Sequence, residues 1–140
     1  MINKYSCINI YEHKKRNSKL SSQILYGEKF IILKEYKDWY KIKTSYDKYV
    51  GFIKKKKFKN FIYKPTHKVS SLKANIFSKP IKNSRIKMRL SFASLLQVKS
   101  SNKGFLKFDN YWIQKSDVVP LNYKEKVFKR ISIFKNVKYK

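Results

Sequence analysis

Arginine is almost missing from a very basic chain. Only Arg16, Arg85, Arg89 and Arg130 stand among 35 basic residues, against eight acidic ones, for a net charge of +27. Lysine lacks the bidentate fork of arginine, so this balance argues against finely tuned phosphate or base recognition. It leaves a general, strongly salt-dependent attraction to polyanions. An AT-rich coding sequence would produce the same skew. Cysteine is also scarce. Cys7 is alone, so no internal disulfide can form, and a free thiol fits a reducing, cytoplasmic location. Gly27, Gly51 and Gly104 are isolated, which excludes a glycine-rich phosphate loop. One cysteine and two histidines at unrelated spacings make no metal-ligand set, and no cofactor is expected. Residues 1–20 lack an apolar signal-peptide core, and no run approaches the ~20 apolar residues of a membrane span.

What is present can build a core. Hydrophobic residues make up 42% of the 140, and aromatics 16%. The most organised stretch is 23–53. Ile24-Leu25 enters a tight turn at Tyr26-Gly27-Glu28, and Phe30–Leu33 is an apolar run suited to a strand covered on both faces. Lys37-Asp38 reverses the chain into Trp39–Ile42. Asp47-Lys48 reverses it again into Tyr49–Ile53. Short strands with turn signals about every ten residues predict a small antiparallel β-fold.

The strings LYGE, DWYKI and DKYVGFI within Ile10–Phe58 resemble the bacterial SH3 (SH3b) domain found at the N-terminus of NlpC-type cysteine peptidases acting on cell-wall stem peptides. Lys48 stands where that family usually has glycine.

The second half repeats the first. Asn75-Ile76-Phe77 follows Asn9-Ile10-Tyr11 at an offset of 66, and Leu90, Phe92, Leu96 and Val98 follow Ile24, Tyr26, Phe30 and Ile32 at the same offset. Trp112-Ile113 follows Phe52-Ile53 at 60, because the turn Asp109-Asn110 is six residues shorter. Ala93 replaces Gly27, and Gly104 takes the turn role of Asp38. The expected fold is all-β. Two tandem small SH3-like antiparallel barrels, 1–64 and 72–120, flank a connector at 65–71. Units this small are expected to pack on each other, with Phe30–Leu33 supplying contact. Tyr123, Val127, Ile131 and Phe134 then recur at helical spacing among lysines, predicting a basic amphipathic α-helix within 121–140. In the resembling peptidases, such a helix opens the catalytic domain.

Catalytic residues are not expected. Cys7 precedes a strand-like run and lacks the family's Asp-Cys-Ser context, so it reads as a plain thiol, and His67 reads as a connector side chain. Lys54–Lys57 reads as a solvated stretch, and Tyr40 and Phe52 read as core. The resemblance implies a non-catalytic module that shapes the substrate groove of a stem-peptide peptidase. Its partners would be that peptidase's catalytic domain and peptidoglycan-derived peptides. On that basis Trp39 and Tyr49 are the candidate substrate-binding aromatics, with Asp47 as partner for a peptide amine. The alternative is a free-standing basic module for an anionic polymer, either RNA or acidic cell-wall material. A third reading makes residues 123–138 a membrane-surface helix.

Overall fold

The computed structural model describes residues 1–15 and 18–121. The expected C-terminal helix lies outside the described residues. Five strands form the first antiparallel sheet: β1 (Cys7–Tyr11), β2 (Leu20–Leu25), β3 (Phe30–Glu35), β4 (Trp39–Thr44) and β5 (Val50–Lys54), in the order β2-β1-β5-β4-β3. The connector is more than a linker. It contains β6 (His67–Val69). After it come β7 (Lys73–Phe77), β8 (Ile86–Ser91), β9 (Leu95–Leu96), β10 (Val98–Asn102), β11 (Phe105–Phe108), β12 (Tyr111–Gln114) and β13 (Val118–Pro120). The second sheet runs β10-β11-β12-β7-β8, and β13-β6-β9 makes a third. Among the described residues, no helix is long and apolar enough to cross a membrane.

The two five-stranded sheets share one strand order and one register. Ile8 pairs with Ile24, and Ala74 with Leu90. The bulge after Ile10 recurs after Ile76, and the one after Ile32 recurs after Val98. Tyr40 faces Ile53 where Leu106 faces Ile113. Strand alternation explains the cores, because every second residue points inward. Ile8, Ile10, Ile24, Phe30, Ile42 and Ile53 fill the first. Ala74, Ile76, Leu90, Leu96, Phe108 and Ile113 stand at the corresponding places in the second. Phe52 is outward by the same alternation, since Ile53 is the inward residue. It is half-buried on the outer face and not in the core, whereas Tyr40 does pack against the first core.

The turns hold left-handed residues that only glycine adopts cheaply. Gly27 has φ 82, and Ala93, its counterpart, has φ 79. Lys48, in the family's glycine position, has φ 58. Ala93→Gly should therefore raise stability by about 0.5–1 kcal/mol, the relieved strain exceeding the entropy a glycine adds to the unfolded chain. A denaturant midpoint that falls would contradict this.

Contact between the halves does not run through Phe30–Leu33. Ile31 and Leu33 are 51% and 47% exposed, because β3 is an edge strand whose outer face nothing described covers. The β2–β3 turn makes the contact. Tyr26 is 1% exposed and belongs to the second core, edge-on to Phe108 with ring centroids 5.6 Å apart. Leu95 N–H donates to the Tyr26 carbonyl at 2.8 Å. The Tyr26 hydroxyl donates to the Asp109 carboxylate, which also accepts from Lys4 Nζ at 3.0 Å. Lys4 lies 4.2 Å from the centroid of the Tyr63 ring, and the Tyr63 hydroxyl donates to the Leu95 carbonyl at 2.7 Å. The N-terminal residues are built in as well. Asn3 is fully buried, and its Nδ2 donates to the Ile24 and Leu25 carbonyls.

Candidate functional site

The three candidate residues do not converge. Trp39 starts β4 and its outward side chain pairs with Lys54 on β5. Asp47 and Tyr49 lie past the other end of β4, roughly 17 Å away at the rise of a β-strand. The Tyr49 ring packs against the first core, under the sheet.

The turn end is held by its own hydrogen bonds. The Thr44 hydroxyl donates to Asp47 Oδ1, and its oxygen accepts the Tyr49 N–H at 2.9 Å. This closure lets Lys48 hold its positive φ without glycine. Glu28 lies close by in the β2–β3 turn, where its Oε1 accepts the Leu25 N–H at 2.6 Å. Burial raises the Glu28 pKa, the Leu25 N–H opposes that rise, and the Asp47 carboxylate adds to it. The exposed Asp47 carboxylate, two residues before the half-buried Tyr49, is thus an acidic spot in a chain of net charge +27. Such a spot attracts an ammonium group.

The outer face of the first sheet is aromatic and basic. Tyr11, Phe52 and Lys41 stand in one row across β1, β5 and β4. Trp39 meets Tyr11 edge-on at 5.7 Å, and Tyr36 is tilted over Phe52 at 6.1 Å. Lys14 Nζ sits 3.8 Å from the centroid of Tyr36, within cation–π range. All four rings are half-buried. Sequence reasoning singled out Trp39 but missed Tyr11 and Phe52. Strand alternation could have grouped Trp39 with Lys41, but the pairing of β1 with β5 is non-local and has no sequence signal.

The lysine run is less solvated than its composition implies. Lys55 pairs with Glu35 at 2.7 Å, and Lys56 lies 4.7 Å from the centroid of the Tyr5 ring. Cys7 is an exposed free thiol at the start of β1. Among the described residues, no group of three or more His, Cys, Asp and Glu side chains could hold a metal.

His67 lies in β6, with Thr66 Oγ1 2.8 Å from its Nδ1. Burial lowers its pKa below the ordinary 6.5. The unfolded chain then binds the proton more readily than the folded one. His67 thus contributes fully above pH 6.5, and its contribution is lost as pH falls from there through the folded-state value. Comparing Tm at pH 7.5 and pH 5.5 (about one unit either side of the ordinary 6.5) should show a smaller drop for His67→Gln than for the parent. An unchanged or steeper drop would refute the assignment.

A search among curated proteins finds no match. Residues 10–58 match the family model of the bacterial dipeptidyl-peptidase SH3 domain. The matched span starts inside β1 and ends at Phe58, whose ring meets Phe30 of the first core at 4.9 Å. It thus takes in nearly all of the first sheet, the turn end and the outer aromatic face. That domain type is non-catalytic and associated with peptidases. Antiparallel strands over a shared apolar core are what a bacterial SH3 domain requires, and residues 10–58 are similar to that domain in both sequence and fold.

Proposed function

We propose that the chain is the non-catalytic module of a peptidoglycan stem-peptide peptidase of the NlpC type. In this reading it consists of two tandem SH3-like barrels, 1–64 and 72–120, set beside a cysteine peptidase domain. It narrows the substrate groove and positions the amino end of the peptide. The observation that carries the reading is the family match, which spans the β2–β3 and β4–β5 turns bearing Glu28, Asp47 and Tyr49. Asp47 is exposed, and Oδ1 is engaged by Thr44, so Oδ2 is the oxygen offered to a ligand amine. Tyr49 supplies the wall beside it. Trp39, on the other face, serves as a second and separate contact.

Calorimetric titration of the chain with a stem-peptide fragment, free or acetylated at its amino end, tests this. The free form should bind more tightly, and Asp47→Asn should weaken it roughly tenfold, the worth of one charge-assisted hydrogen bond. Equal affinity for free and acetylated peptide would sink the proposal.

A further inference from the structure

Of the aromatic outer face of the first sheet, the peptide reading uses only Trp39. Its rings form a continuous series. Trp39 touches Tyr11, Tyr11 stands opposite Phe52, and Phe52 meets Tyr36. Lysines frame the series: Lys54 opposite Trp39, Lys41 opposite Phe52 and Lys14 over Tyr36. Glu35, the carboxylate beside Tyr36 in the chain, is taken up by Lys55 at 2.7 Å.

The second sheet supplies an internal comparison. Phe77 and Phe105 occupy the positions of Tyr11 and Trp39, and they meet in the same edge-on geometry at 5.8 Å and 85°, against 5.7 Å and 88°. Yet Phe77 and Phe105 are only 3% and 6% exposed, while Tyr11 and Trp39 remain half-open. The Tyr36 position is the polar Asn102. A buried phenylalanine pair is packing. A half-buried tyrosine–tryptophan pair framed by lysines still offers part of its π-surface together with positive charge.

We infer that this face binds single-stranded nucleic acid, with unpaired bases stacking on Trp39 and on the Tyr36 face that Lys14 vacates as it turns to a phosphate, and the other lysines following the backbone. Flat rings give sequence-tolerant stacking, and lysine gives charge without bidentate base reading, so binding should show little sequence preference. Duplex bases are stacked on each other and should compete poorly.

The test uses the full chain carrying Trp112→Phe, which leaves Trp39 as the only tryptophan. Oligothymidylate of about 15 nucleotides is titrated in roughly 150 mM salt while Trp39 fluorescence is followed, with a duplex of equal length and inorganic polyphosphate as comparisons. Oligothymidylate should quench Trp39 and bind at least about tenfold more tightly than polyphosphate. Tyr36→Ala should weaken it about tenfold, and Tyr36→Phe should not. Lys54→Gln should lower the salt slope by about one, and Lys87→Gln, the same charge lost on exposed β8, should leave it unchanged. Circular dichroism identifies any variant that fails to fold, and Lys54→Gln against Lys87→Gln then decides. Polyphosphate binding as tightly as oligothymidylate without quenching would overturn the inference in favour of a ring-free acidic polymer such as wall material. Indifference to both Tyr36→Ala and Lys54→Gln would overturn the site.

Discussion

Gly27→Ala should destabilise the chain by at least about 3 kcal/mol, near the upper end for a single substitution. A Cβ there would lie 2.0 Å from the Leu95 carbonyl oxygen and 2.9 Å from its carbon. Both are backbone atoms, so no side chain can rotate away. The residue also holds φ 82, which adds its own strain to any L side chain. The clash cannot be relieved by sliding the turn outward at no cost. Gly27 N–H donates to the Asn3 carbonyl at 2.7 Å, and Leu95 N–H donates to Tyr26 at 2.8 Å, so movement breaks one or both. Denaturant unfolding followed by tryptophan emission checks this, since Trp39 and Trp112 report on different sheets. Both signals should shift to lower denaturant. A loss under about 1 kcal/mol would mean that the halves do not meet this closely. Ala93→Gly, at the matching turn of the other half, should act with the opposite sign.

Tyr26→Ala should cost about 3–5 kcal/mol, because it empties a socket in a core to which Tyr26 contributes from the other half of the chain. Tyr26→Phe keeps the ring against Phe108 and loses only the hydroxyl donated to Asp109. About 1–2 kcal/mol is expected for it, with Lys4 still holding the carboxylate. Burial, then the Asp109 carboxylate, raises the Tyr26 pKa far above the phenol range, so the contact does not switch near neutral pH. Amide exchange distinguishes where the damage falls. In Tyr26→Ala, protection should drop first in β7 and β12, ahead of β1 and β5. Equal costs for the two variants would assign the stabilisation to the hydroxyl and not the ring.

Much of the fold was legible because strands write their alternation into the chain. The offsets of 66 and 60 read from Ile10, Leu90 and Trp112 reappear as residue-for-residue register in the two sheets. The contact between halves was not legible. Phe30–Leu33 is apolar on both faces, yet Ile31 and Leu33 face solvent, because hydrophobicity marks a strand without naming its partner. The ring that does cross, Tyr26, read simply as part of a turn. Asp47 and Tyr49 were found together because they are close in sequence. Trp39 was grouped with them by type, although one strand's length and the sheet itself lie between. The third sheet escaped notice because β9 has only two residues and β6 and β13 three each. Segments that short carry no periodicity.

Tyr26 also bears on how such a chain can be inherited. A recombination breakpoint near residue 65 would look neutral in a diagram of two repeated units. It would part a ring from its socket, leaving one fragment with an exposed aromatic turn and the other with an unfilled core. The smallest portable piece of this chain therefore spans both sheets. Shuffling should move the pair together, and substitutions at Tyr26 should persist only alongside compensating changes at Leu95, Phe108 or Asp109.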